Sequence, residues 1–430
     1  MKIPGLQFDP KKSYYKQLFF FLMTVFALSF FLVLLISGGY SMRGLLAADT
    51  NGSFMEFFNK MILSGENAYA SEAVAAPFAL LFYRGLLVLI SNILISNYIP
   101  SLASSSFPAS IKMYQEFNFP FILYSLLLLV LLFFALRGLK KGCNAEKYAL
   151  IFIIFLSAPM LFAFERGSDT VLTLALLLFF FAGKDSEKKL IANLSLLSLG
   201  IACAFSLYPL LFCIVLLRKK RFLDTLKVFG VCLVLTVPAL FIVGGGFSGA
   251  MQLAKNLINA WTGNMLVLSG QLSFPKCAVN LFADTRLPNE TLVLIGNVFA
   301  LVTGIIVLTG ALLAKKEWQQ TALICGLIFG LSPLCEANLL ILFAIPTVLL
   351  LDTEKTNSAV SYVSLLFLIL TQALIVSPDV TSRSYTRMFV TRLTSYGVLV
   401  FVLLLTAVSV VDSVKGLSKK TVRADDAQVQ

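Results

Sequence analysis

The chain has no histidine in 430 residues. That absence removes the usual general base near neutral pH, the commonest zinc ligand and any Ser-His-Asp arrangement. Charge is also scarce: Lys, Arg, Asp and Glu make up 13% of the residues, against 58% apolar residues and a mean hydropathy of +0.89. No soluble core could absorb that much apolar surface, whereas a bundle of membrane-spanning helices could. An internal repeat of the kind that relates the two halves of many secondary transporters is missing. Most of the cysteines (Cys143, Cys203, Cys213, Cys232, Cys277, Cys325 and Cys335) lie inside apolar runs, and no outer-loop pair suggests a disulfide. Chemistry is left to carboxylates, Arg, Lys, Tyr and backbone, or to an oxygen-coordinated ion.

What is present is a series of apolar runs. The first, Gln17 to Gly39, follows Lys11, Lys12 and Lys16 and is too long for a cleaved signal, so it reads as a retained anchor. The run Ala75 to Asn97 is ambiguous, since Arg84 sits in its middle and Ser91, Asn92, Ser96 and Asn97 break it. If it lies along the outer surface, twelve crossings remain, at about 17–39, 119–139, 148–164, 170–183, 190–205, 206–217, 222–243, 291–314, 319–332, 338–351, 357–377 and 394–412. Both termini then face the cytoplasm, and 23 of the 34 basic residues fall on inner segments, as the positive-inside rule asks. Letting Ala75 to Asn97 cross would put Arg218-Lys219-Lys220-Arg221 outside. The net charge of +12 therefore speaks to topology and anionic lipid and gives no reason to invoke nucleic acid.

The whole chain, 1–430, reads as one integral membrane domain with three longer outer loops, 40–118, 244–290 and 377–391. Such asymmetry points the working surface outward. In loop one, Phe54, Phe57, Phe58, Met61 and Ile62 recur at helical spacing before a Ser64-Gly65 stop. This predicts an amphipathic helix, either lying on the bilayer surface or packed on neighbouring spans.

Charged residues at membrane depth are expensive unless paired, wet or bound to ligand. Phe164-Glu165-Arg166-Gly167-Ser168-Asp169 stands between the apolar runs Leu150 to Ala163 and Val171 to Ala182. Two further pairs of short crossings are broken at Ser206 to Pro209 and at Ser332 to Asn338. Irregular backbone at that depth is tolerated only where protein or a wet cavity surrounds it, so the three breaks are expected to line one outward-opening cavity.

The order of these features carries a resemblance. The Phe-x-x-Phe-Phe helix runs into Leu-Ser-Gly-Glu-Asn-Ala-Tyr at 63–69. Then come Glu165-Arg166-Gly167, Leu207-Tyr208-Pro209-Leu210-Leu211 with the basic stop at 218–221, and Leu331-Ser332-Pro333 with Glu336 and Asn338. In this it resembles membrane glycosyltransferases of the GT-C superfamily, and among them family 87, whose members resemble polyprenyl-phosphate-mannose-dependent mannosyltransferases. Members typically carry Asp-Phe where this chain has Ser53-Phe54, often Lys where Ser206 stands, and His after Ser-Pro, where this chain offers Glu336 and Asn338.

The resemblance implies an all-α polytopic fold of about twelve spans, with interfacial helices in the first outer loop. It also implies transfer of a hexose such as mannose from a polyprenyl-phosphate sugar to an extracytoplasmic glycan, lipid or protein, in a bacterial inner membrane. No cofactor beyond an optional divalent cation is implied. Asp49 is the first candidate base and Glu56 the substitute; the alternatives are a helix N-cap and a surface pair with Lys60. Arg166 is the candidate for the donor phosphate, with Arg387 of the last outer loop beside it; pairing with Glu165 or Asp169, or headgroup contact, are the plainer roles. Glu165, Asp169, Tyr208, Gln271, Glu336 and Asn338 are candidate substrate contacts, though Tyr208-Pro209 could simply shape a kink, and Glu336 and Asn338 could be a polar plug. An envelope polysaccharide polymerase or ligase, a multi-span transporter and a non-catalytic membrane protein are the competing readings.

Overall fold

The computed structural model describes residues 14–36, 54–64, 68–71, 73–94, 115–266, 273–282, 287–332, 337–355, 358–373 and 385–428. Asp49, Gln271 and Glu336 lie outside them. Among the described residues every regular element is helical. Among the described residues four helices are long and apolar enough to cross a membrane, and five if one bent pair counts as a single span. The protein is an α-helical integral membrane protein.

The N-terminal part comprises α1 (Tyr15–Ile36), α2 (Met55–Leu63), α3 (Pro77–Leu94), α4 (Gln115–Leu139), α5 (Asn144–Phe155), α6 (Ala158–Arg166), α7 (Thr170–Gly183) and α8 (Lys189–Phe205). A 3-10 segment, Tyr208–Phe212, leads into α9 (Cys213–Arg218), and α10 (Phe222–Val243), α11 (Gly246–Leu266), α12 (Phe274–Leu281) and α13 (Asn289–Leu313) follow. The chain closes with α14 (Glu317–Leu331), the 3-10 segment Ala337–Phe343, α15 (Ala344–Thr353), α16 (Ala359–Ala373) and α17 (Tyr385–Gln428).

Helix placement follows the distribution of apolar residues. α7 carries no charged residue and α14 only Glu317 in its first turn, and helices so nearly without charge belong inside: Trp318 through Gly330 is buried without a gap, as is most of Thr170 through Gly183. By contrast α4, α10, α13 and α17 keep large apolar side chains on the surface, Leu223, Val234, Phe241 and Leu301 among them. A bilayer is the solvent that suits those faces. Gly326 lets α17 close on α14, since a Cβ there would overlap Val402.

Breaks appear where Ser206 to Pro209 and Ser332 to Asn338 lead one to expect them. The chain doubles back between α14 and α15, so that Cys325 Sγ donates to the Leu342 carbonyl at 3.4 Å and Lys316 meets Glu354 at 2.5 Å. The 3-10 conformation lengthens these short returns. With a rise of about 2.0 Å per 3-10 residue and about 1.5 Å per α residue, Ala337–Phe343 plus α15 reaches about 29 Å, near the hydrocarbon thickness.

One break was not expected. The run 148–164 reads as one straight span, but α5 and α6 meet at 58°. Pro159 stands in the first turn of α6 and cannot donate back into α5, while Ser157 Oγ donates to the Ile154 carbonyl at 2.8 Å.

The loops assigned to the inner face gather at one end of the bundle and pair there. Lys140, its side chain fully buried, meets Asp352, and Lys16 meets Glu146 at 2.8 Å. Asp185 is shared by Lys184 (2.5 Å), Lys219 (2.7 Å) and Arg221 (3.4 Å), and Lys184 also reaches Glu317 at 2.7 Å. Burial alone would raise the Asp185 carboxyl, but hydrogen bonds and charge from Lys184 and Lys219 hold it down at about 2. α7, with 14 residues and so about 21 Å of rise, carries the chain from this end to the Glu165–Asp169 turn.

Candidate functional site

The site is assembled around the end of α6. Glu165 and Arg166 occupy its last turn, and Gly167 then adopts the left-handed conformation, with φ 65°. The Gly167 and Ser168 amides donate to the Phe164 and Ala163 carbonyls at 3.0 and 2.9 Å, which closes the helix in a Schellman turn. The glycine answers a second demand too: a Cβ at this position would stand 2.8 Å from Phe57 Cβ and 3.0 Å from Phe121 Cε2. Asp169 begins α7 but makes no capping bond, which leaves its carboxylate for another partner.

That partner comes from α2. Phe54 N donates to the Glu165 carbonyl at 2.7 Å and ties the start of α2 to the end of α6. Phe57, Phe58 and Met61 are buried among Tyr83, Phe121 and Tyr124, with Phe57 5.6 Å from Tyr83 and 5.3 Å from Phe121 between ring centroids. The expected interfacial helix is therefore a packed one. Its apolar face meets aromatic side chains of α3 and α4 instead of acyl chains, a difference that periodicity cannot register.

With that face buried, the polar face of α2 turns onto the α6–α7 turn. Lys60 Nζ lies 2.7 Å from Asp169 Oδ2, with side-chain exposures of 17% and 11%. It also sits 5.9 Å from the centroid of the Tyr83 ring, whose hydroxyl is 3.5 Å from that of Tyr124. One turn earlier Glu56 Oε1 accepts from Asn338 Nδ2 at 3.1 Å, and the same amide donates to Ser168 Oγ at 2.9 Å. Ser168 Oγ passes the chain on to Thr170 Oγ1 at 3.1 Å. Asn338 thereby joins loop one, the α6–α7 turn and the break before α15, three places remote in sequence.

The second break reaches the same region. Tyr208 sets its hydroxyl beside Thr170, Thr173 and Ser206 and within electrostatic range of Asp169. The buried Tyr208 and Thr173 hydroxyls lie near one another without meeting hydrogen-bond geometry. The described parts of the three breaks thus come together. The described part of their junction is a packed polar cluster: Ser168, Asp169, Thr170 and Asn338 are buried, while Glu56, Lys60, Glu165 and Arg166 keep partial exposure.

Arg166 holds its guanidinium carbon 5.2 Å from the Phe162 ring centroid. Arg387 belongs to the first turn of α17. Two contributors were missed from sequence. In the sequence Lys60 reads as a surface partner for Glu56, although its place one turn later on the same helix face is a signal that both serve one site. Ser168, inside the hexapeptide itself, carries no sequence signal that sets it apart from any other turn serine.

Chemically, the cluster offers carboxylates, an ammonium, an amide and hydroxyls at one place, in a setting poor in water where each counts for more than in bulk. Among the described residues no three metal-binding side chains converge. No family model matches the chain, and neither a curated protein nor a solved structure matches it.

Proposed function

We propose that the protein is a membrane glycosyltransferase of the GT-C kind, moving a hexose, mannose in the first instance, from a polyprenyl-phosphate sugar to an extracytoplasmic acceptor. The observation that carries the reading is the meeting of Glu56 and Lys60 with Asp169, Ser168 and Asn338. Sugar transfer from a lipid phosphate needs a carboxylate for the acceptor proton, a cation for the leaving phosphate and neutral polar groups for sugar hydroxyls. The acceptor oxygen attacks the anomeric carbon, the bond from that carbon to the phosphate oxygen breaks, and polyprenyl phosphate leaves with the bonding pair. Glu56 takes the acceptor proton in this scheme, and Lys60 and Arg166 meet the phosphate. Ser168, Tyr208 and Asn338 face the sugar. Asp49 keeps the alternative role of base, and Glu336, Gln271 and Arg387 approach from the remaining loop segments.

The reading includes twelve crossings, both termini cytoplasmic and a site open to the outside of a bacterial inner membrane. It is supported by the gathering of the basic loops at the end of the bundle opposite the site. The test is release of polyprenyl phosphate from a polyprenyl-phosphate mannose by the purified protein. Glu56→Gln is expected to lower the rate by about 10²- to 10⁴-fold if it is the base. No release, or equal release from Glu56→Gln, Asp169→Asn and Lys60→Met, defeats the proposal.

A second reading, a secondary transporter, draws on one observation: the largely buried Lys60–Asp169 pair beside the Tyr83 and Tyr124 hydroxyls suits a proton-coupled carrier. Proton-driven uptake into proteoliposomes, abolished by Asp169→Asn, would favour it over transfer.

A further inference from the structure

At the charged end of the bundle, the connection between α9 and α10 opens into a recess of about 590 Å³ lined by Lys220, Arg221, Phe222, Leu223, Asp224, Leu226 and Lys227. We propose that this recess binds the headgroup of an anionic phospholipid, whose acyl chains run along the exposed start of α10. The proposal is independent of the glycosyltransferase reading.

The first ground is charge. Arg218, Lys219, Lys220, Arg221 and Lys227 stand close in sequence, and the acids that they or Lys184 meet, Asp185, Asp224 and Glu317, are each paired. Asp185 serves Lys184, Lys219 and Arg221; Asp224 serves Arg221 and Lys227, at 2.7 and 3.0 Å; Glu317 serves Lys184. Lys220 is exposed and makes no ion pair among the described residues. A surplus of cations therefore borders the recess, and that charge favours an anionic occupant.

The second ground is that the same recess has an apolar rim. Phe222, Leu223 and Leu226 are 64%, 76% and 68% exposed, at the end of a helix whose outer face stays apolar through Leu233, Val234 and Phe241. Nucleic acid and free phosphate have no use for such a rim, whereas an amphiphile with an anionic head at the membrane boundary matches both halves.

The third ground is the backbone at Lys220. Its φ is 58°, and its amide and that of Arg221 donate to the Leu217 and Leu216 carbonyls at 2.9 and 3.0 Å, a Schellman turn. Glycine is the usual occupant of that left-handed position. Here lysine stands instead, against its conformational preference, and lines the recess. An observed departure of this kind is a reason to look for a use of the side chain.

The experiment follows the unfolding temperature of the purified full chain in neutral detergent with added phosphatidylglycerol, phosphatidylcholine or glycerol phosphate. Phosphatidylglycerol is expected to raise it saturably, and the other two are not. Lys220→Gly with Lys227→Gln is expected to lose that rise, while Lys220→Gly alone unfolds no lower than the wild type without lipid, because glycine suits the turn. Lys188→Gln with Lys189→Gln removes the same charge elsewhere on that end and is expected to keep the rise. The proposal is overturned if the Lys220 and Lys227 double variant responds like the wild type. It is equally overturned if the Lys188 and Lys189 pair loses the response, or if glycerol phosphate matches the lipid.

Discussion

Substituting Gly167 by alanine tests whether the turn before Asp169 is what seats α2. The left-handed backbone at φ 65° costs an alanine about 1 kcal/mol. The new methyl would fall 2.8 Å from Phe57 Cβ and 3.0 Å from Phe121 Cε2, well inside ordinary contact, and both rings belong to one packed aromatic group. Overpacking of this kind costs about 1–3 kcal/mol more, for an expected loss of about 2–4 kcal/mol. Since Lys60 and Glu56 ride on the helix that must move, their contacts to Asp169 and Asn338 should loosen together. Unfolding by SDS titration in mixed micelles gives the free-energy change. Gly85→Ala and Gly230→Ala are the controls, because a Cβ at either meets nothing within 4 Å. Those controls should lie near the wild type or above it, as alanine suits a helix interior better than glycine. If Gly167→Ala proves as benign as the controls, the turn does not position α2 and the account of the site fails with it.

Three further outcomes follow. Lys60→Met should destabilise by about 3 kcal/mol by leaving the Asp169 carboxylate in a nearly buried site without its ammonium. Adding Asp169→Asn should recover part of that loss, and additive effects in the double-mutant cycle would mean that the two side chains do not interact. Asn338→Ala should cost about 1–3 kcal/mol, and Asn338→Asp more, because it sets a second carboxylate against Glu56 in place of a donor; an aspartate variant as stable as the alanine one contradicts the contact. Asp185 is held below the ordinary 3.8 at about 2, so its contribution is present above about pH 4 and is lost as pH falls from there toward 2. Asp185→Asn should lower stability at neutral pH and flatten the acid limb of the stability curve, and a wild-type acid limb in the variant would exclude this ion cluster as its source.

The breaks in the helices were legible because their causes are local. Gly167 after Glu165-Arg166, Pro209 after Ser206, and Ser332-Pro333 each stop a helix by their own backbone preferences, and short apolar halves cannot hide the stop. The gathering of the basic loops was legible from charge alone. The partners were not. Glu56 and Asn338 lie 282 positions apart, and nothing in either neighbourhood names the other. Spacing of Glu56 and Lys60 by four residues suggests a local pair, yet both reach across to other segments. Apolar periodicity in α2 announces an apolar environment without saying whether it is lipid or protein. The bend before α6 is hard to read because Ser157 and Pro159 alone interrupt the apolar run around them.

The burial of α14 on every side has a consequence for how the chain is made. A helix that is inserted in sequence order meets lipid before it meets its final neighbours, yet α14 and α15 have almost no surface left for lipid in the finished protein. α13 is already present when they emerge, but α16 and α17, which cover them, are synthesised later. The hairpin must therefore wait, incompletely sheltered, until α17 arrives and Val402 closes over Gly326. Arrival of α17 is thus the step that shelters the hairpin, and a chain stopped before it would expose the centre of the bundle to the membrane.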